Sequence, residues 1–354
     1  MFRRVRRLSL TLCLLAIGWA ARTPAEDVSR QEQRILSRSM AGFARLTPAE
    51  ASGLERKIES DPEDRLSRIQ LIAFYAFEPR PASDVKRARH VRWFIEHHPE
   101  SAVLSHNHLA GFTGAEHAPT LDLWKKQVEA HSQNATVLAN AAVFHLISDR
   151  PHSIALLKQA STLEPENLNW SDRLGHAHLL DAVESSRNRS PEEQKQSAIL
   201  AQREFRKVYQ GRDDRGKAVA LGYLLKVAIA AEDLDAASRD ANDALARAEK
   251  GREGVDLIHI GNTVLGRVAL RKGDLSEARS RLLASGQIST PSPVLESFGP
   301  EMSLSNELLE KGESETVLKY LDLCEVFWKS GGRVLKRWRE AIEAGKKPDL
   351  LRKE

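Results

Sequence analysis

The sequence predicts an all-α protein built as a stack of antiparallel helix pairs, and three observations predict it. Ala, Leu, Glu, Lys and Arg dominate while aromatic residues make up 6%, and no sustained period-two run of Val, Ile, Thr and Tyr marks a strand. A short polar phrase recurs at Asp61-Pro62-Glu63-Asp64, His98-Pro99-Glu100-Ser101, His131-Ser132-Gln133-Asn134 and Glu164-Pro165-Glu166-Asn167, with the last three copies 33 residues apart. Two capping boxes with proline at the first helical position announce helix starts at Thr47-Pro48-Ala49-Glu50 and Ser190-Pro191-Glu192-Glu193.

The N-terminus reads as a leader and not as part of that fold. Arg3, Arg4, Arg6 and Arg7 precede an apolar run from Leu8 to Ala21, with small residues at Ala20, Ala21 and Ala25, the layout of a secretory signal peptide. A run of 14 residues is shorter than the roughly 20 a membrane-spanning helix needs. Residues 1–25 are therefore expected to be cleaved, after Ala20 or Ala25. The chain is expected to be periplasmic or secreted, without stable membrane insertion, and retention of the leader as an anchor is the alternative. Cleavage after Ala25 takes Lys plus Arg from 53 to 48 against 49 acids, so the formal charge moves from +4 to −1. That removes the basic surplus a nucleic-acid partner would need. Cys13 falls in the leader, preceded by Leu12 where lipid attachment wants a small residue. Cys324 is then the one cysteine left, so no internal disulfide is expected. Its stripe Val317, Leu321, Cys324, Trp328 reads as one buried helix face and a packed thiol.

Residues 26–60 are expected to form two helices capping the first repeat, because an array needs polar ends. Residues 61–346 read as the array. Each polar phrase ends one amphipathic stretch and opens the next: proline cannot continue a helix, and the Asp, Ser or Asn that follows can cap one. After Ser190, the residues Ala198, Ala201, Phe205, Val208 and Tyr209 share one helix face. Residues 347–354 read as a disordered tail.

The segment from Asn134 resembles a tetratricopeptide repeat: Ala141, Phe144, Ser153, Leu157, Ala160 and Pro165 fall at that repeat's signature offsets. The unit around Asn262 is more similar still, with Leu265-Gly266, Gly273-Asp274 at the turn, Ala278 and Leu282. Leu174-Gly175 with His178 opens a partial copy, interrupted by a polar insertion around Ser185 to Ser190. Glu232-Asp233-Leu234 with Ala237 mirrors Gly273-Asp274-Leu275 with Ala278 at an offset of 41. The stretch from about Asp256 to Trp328, with Ser297-Phe298-Gly299-Pro300 between helices, looks like the tail of bacterial proteins of this type. The resemblance implies a right-handed α-solenoid that holds a protein or peptide partner in a concave groove, with small residues where paired helices cross.

Chemistry-bearing motifs are sparse. Seven of the 12 histidines lie at 90, 97, 98, 106, 108, 117 and 131. Adjacent or alternate histidines point to different helix faces, however, so half-buried or solvated rings are expected and not a metal site. No phosphate loop, Gly-x-Ser-x-Gly elbow or His-Glu-x-x-His is present, and neither a cofactor nor catalysis is expected. An enzyme acting on an envelope polymer through two convergent carboxylates is the alternative. In the repeat register the groove is lined by Leu138, Ala142, His145 and Leu146, then Asp172, His176, Leu179 and Leu180, then Thr263, Arg267, Leu270 and Arg271. Arg267 and Arg271 are four apart and share a face. They are the candidates for gripping an acidic partner segment, with pairing to a neighbouring repeat's acid as the alternative.

Overall fold

The computed structural model describes residues 24–40, 46–78, 81–183, 189–250 and 254–353. Among them are 18 α-helices, two short 3-10 turns and no strand. The leader lies almost wholly outside the described residues, as does most of the polar insertion before Ser190. No described helix is long and apolar enough to cross a membrane. Where one continuous array from residue 61 was expected, the chain divides into two compact units, Met1–Gln127 and Val128–Glu354. The run of paired helices is broken beforehand by the 3-10 turns Ala102–Ser105 and Gly114–Glu116, with only a four-residue helix between them.

The first unit contains α1 (Pro24–Met40), α2 (Pro48–Ser60), α3 (Arg65–Phe77), α4 (Pro81–His97), α5 (Asn107–Ala110) and most of α6 (His117–Ala130). Helices α1 and α2 fall in the segment before residue 61. Thr47 opens α2 with both halves of its capping box formed, which supplies acceptors for backbone N–H groups that have none inside the helix. Helix α3 packs against α1, α2 and α4, and its Ile69, Leu71 and Ile72 are wholly buried, as are Val91, Phe94 and Ile95 of α4. The Glu32 carboxylate of α1 is buried too, paired with Arg65 and accepting a 3.2 Å bond from Ser101 Oγ.

The second unit runs through α7 (Ala135–His145), α8 (Arg150–Leu163), α9 (Leu168–Val183), α10 (Pro191–Gly211), α11 (Asp214–Val227), α12 (Leu234–Lys250), α13 (Gly254–Arg271) and α14 (Leu275–Gly286). After the short α15 (Pro293–Phe298) it closes with α16 (Ser303–Glu310), α17 (Ser314–Phe327) and α18 (Gly332–Glu343). From α7 to α14 each helix packs against the next in sequence. Glycines and alanines set how closely they approach. A Cβ at Gly175 of α9 would meet the Phe205 ring of α10 at 2.6 Å, and one at Gly261 of α13 would meet the Ala241 carbonyl of α12 at 3.2 Å. Ala237, Ala241 and Ala244 line that face of α12, all fully buried. The stripe Val317, Leu321, Cys324 and Trp328 is buried as expected, and burial pushes the Cys324 thiol up to about 12.

Residues 347–353 are docked and not a free tail. Leu350 is wholly buried, its backbone N–H donates to Asn306 Oδ1 at 3.0 Å, and the Lys353 ammonium caps the carbonyls of Phe298 and Pro300 at 2.9 Å each. Leu350, wholly buried while the adjacent Leu351 stays exposed, is what anchors it.

Candidate functional site

The expected groove residues separate into three groups. Leu138 is 0% exposed and His145 5%, so neither faces a partner; His145 packs edge-on against His152 instead. Helix α7 is apolar around its whole circumference and buries nine of its 11 residues. Periodicity then has no polar side against which to define a groove face. Ala142, Leu179, Thr263 and Leu270 are buried as well, which leaves one predicted position at the end of α7, three on α9 and two on α13 at least partly exposed.

Asp172 and His176 do reach the surface, their side chains 40% and 36% exposed. His176 Nδ1–H donates to the Asp172 carbonyl at 2.8 Å, and the ring stands edge-on to Tyr223 and to Phe205 at centroid distances of 4.3 and 5.2 Å. Tyr223 stacks on Phe205 and carries the Lys226 ammonium 5.1 Å from its ring centre. Burial, and after it the Asp172 carboxylate, pushes the Tyr223 phenol above its ordinary range. Val219, one turn before Tyr223, is 54% exposed. Helices α9 and α11 thus bring together an acid, an imidazole, a phenol, an ammonium and an apolar side chain.

Arg267 and Arg271 share a face as their spacing predicts, but the chain supplies their acid. Arg267 donates through Nε and Nη2 to Glu307 Oε1 at 3.0 and 2.7 Å. Arg271 donates through Nη1 to Oε2 and through Nη2 to Oε1, both at 3.1 Å. Burial pushes the Glu307 carboxyl up, yet the bonds from Arg267 and Arg271 outweigh it and hold the group below the usual carboxylate range. As free anchors for a partner's acidic segment the two arginines are therefore corrected to an internal clamp between α13 and α16. Gly266 makes the clamp possible, since any Cβ there would collide with Leu304 of α16.

A further cluster, in the first unit, escapes sequence reasoning. Arg68 of α3 is 6% exposed, with its guanidinium 4.2 Å above the Trp93 ring. It donates through Nε and Nη2 to the Pro62 carbonyl at 3.2 and 2.8 Å, and through Nη1 to His90 Nδ1 at 3.2 Å. A guanidinium can only donate, so the His90 proton sits on Nε2, which donates to Glu55 Oε1 at 3.2 Å. Tyr75 donates to the same oxygen at 2.8 Å, and Arg89 pairs with Oε2. Burial drives the His90 imidazole down to about 4 despite the Glu55 carboxylate beside it. Beside this cluster lies a cleft of about 580 Å³ lined by Glu55, Ile58 and Glu59 of α2, Arg68 of α3, and Val85, Arg89, Arg92, Trp93 and Glu96 of α4. Glu55, Tyr75 and His90 are 20 and 35 residues apart, on three helices, which is why no local pattern announces them.

Among the described residues no group of three or more His, Cys, Asp or Glu is placed to hold a metal ion. Compared with known proteins, the chain matches no protein-family model and no curated protein sequence.

Proposed function

We propose that the protein is an exported scaffold of tetratricopeptide type, a right-handed α-solenoid that holds a protein or peptide partner on the face shared by α9, α11 and α13. One observation carries this reading. Besides packing on its neighbour in sequence, α9 touches α11 and α11 touches α13, the alternate contact that arises when helix pairs stack in one direction; α13 in turn reaches past the short α15 to α16. Arg173 of α9 adds to the pattern by donating to the Ala139 carbonyl of α7 at 3.1 Å. Stacking of this kind aligns the first helices of successive pairs and leaves Asp172, His176, Val219, Tyr223 and Lys226 on the strip they form. Export rests on the leader at residues 1–25, and no catalytic role is assigned. The test is a photo-crosslinking residue placed at Val219, with a second at Ile199 on α10 as control. A defined protein crosslinked from 219 and not from 199 is the expected result. Equal labelling from both positions, or none from either in cells that make the protein, would reject the face.

A further inference from the structure

We propose that the cleft between α2 and α4 binds a small organic anion, a carboxylate on an apolar body, with Arg68 receiving the carboxylate and Ile58, Val85 and Trp93 receiving the body. The proposal uses no residue of the α9–α11–α13 face and stands or falls apart from it. Its starting point is a buried cation to which no carboxylate bonds, although Glu63, Glu55 and Asp64 act on it through space. Three of the guanidinium's five N–H groups have acceptors, a carbonyl and an imidazole, and no carboxylate bonds to it. His90 contributes no charge in its neutral form, and Glu55 is matched by Arg89. The guanidinium is thus buried with carboxylates only at a distance, and burial outweighs their pull and lowers its pKa, so an anion bonded directly to it would offset that cost.

The cleft beside Arg68 falls within the roughly 300 to 1,000 Å³ of ligand pockets. A guanidinium with donors to spare matches the two oxygens of a carboxylate. Glu59 and Glu96 on the rim are exposed and their carboxylates bond to nothing among the described residues, so they disfavour a dianion more than a monoanion. The apolar walls favour a body such as an aromatic or branched aliphatic group.

The experiment uses the whole protein and benzoate as probe, with chloride and inorganic phosphate as controls at equal ionic strength. Binding is followed by calorimetry and by the NMR signals of the His90 ring, which a negative charge beside Arg68 must move. Benzoate is expected to bind and to shift the His90 signals where chloride and phosphate do not. Arg68→Met should weaken benzoate about tenfold or more. Because that change also removes the contacts with Trp93 and Pro62, Glu59→Gln and Glu96→Gln provide the second arm. Both alter only exposed rim acids and should tighten benzoate about two- to fivefold. Benzoate acting no differently from chloride, or rim variants that leave its affinity unchanged, would overturn the assignment. So would a folded Arg68→Met variant that binds as before.

Discussion

Arginine meets two different fates in the two units. In the second, Arg267 and Arg271 close on one carboxylate, Glu307, with four hydrogen bonds of 2.7 to 3.1 Å. In the first, Arg68 is more deeply buried yet has only a carbonyl and a neutral imidazole to bond to. A cation on a helix face thus says little about binding until its acid is accounted for. Where the fold supplies the acid, the group is structural; where it does not, a buried guanidinium remains a place for someone else's anion.

The largest test of the comparison is Gly266→Leu. Overpacking typically costs about 1 to 3 kcal/mol, and here the new side chain would also drive Leu304, and with it Glu307, away from the arginines. We expect a loss above about 3 kcal/mol in denaturant unfolding, the packing cost and the opened clamp together. Melting like the wild type would mean that α13 and α16 do not meet at this glycine.

Next in size is the pH response of the first unit. The folded-state pKa of His90 is about 4 against 6.5 for an unperturbed imidazole, so between those values the unfolded chain binds more protons. Stability is therefore complete above pH 6.5 and lost as the pH falls towards 4, by about 3 kcal/mol from this residue. Burial lowers His98, His178 and His259 as well, and they act in the same direction. The Glu307 clamp responds later: its folded pKa is lowered from 4.5, so its share is present above pH 4.5 and disappears below. Denaturant midpoints of wild type and His90→Asn should converge as the pH falls from 7 to 4.5. A constant difference across that range would show that His90 titrates normally.

Much of the helical layout could be read from the sequence because its signals are local. Three of the four polar phrases are turns between α-helices, with Asp64 and Asn134 capping the helices that follow, whereas His98–Ser101 leads into a 3-10 turn that the Ser101 side chain does not cap; the boxes at Thr47 and Ser190 form in full. Even the imperfect mirror at an offset of 41 is structural. Asp233 and Asp274 each accept from the backbone N–H three residues on, both at 2.9 Å. Glu232 and Gly273 hold the same left-handed turn, at φ 59° and 81°, although only glycine does so without strain. The candidate sites were less legible, because their contacts span the chain. Glu307 lies 40 and 36 residues beyond the arginines it binds, and which acid a given arginine meets depends on helix stacking that no repeat register specifies. Leu138 and His145 were misplaced for the opposite reason, since a helix apolar on every side has no pattern to follow.

Removing the acid itself, Glu307→Ala, strands both arginines and is expected to cost about 2 kcal/mol, the scale of hydrogen bonds to charged groups in a half-buried site. This variant also sharpens the contrast with Arg68: it should create in the second unit an anion site of the kind proposed for the first. Benzoate or acetate would then raise the melting temperature of the variant more than that of the wild type, and equal shifts would count against the idea that the missing carboxylate is what defines such a site.

The smallest effect concerns the outer member of the clamp. Arg271 is 45% exposed against 24% for Arg267, and water screens an ion pair in proportion to its contact with it. Arg271→Ala should therefore cost less than about 1 kcal/mol. Arg267→Ala, which gives up the shorter bonds and the more buried position, should cost about 1 to 2 kcal/mol. Raising the salt from 50 to 500 mM should erase most of the Arg271 contribution and leave most of that of Arg267. Should both substitutions cost the same, with the same salt dependence, the two arginines act as one charge patch. The clamp would then resemble a solvated surface pair more than the internal lock that Glu307 and Gly266 describe.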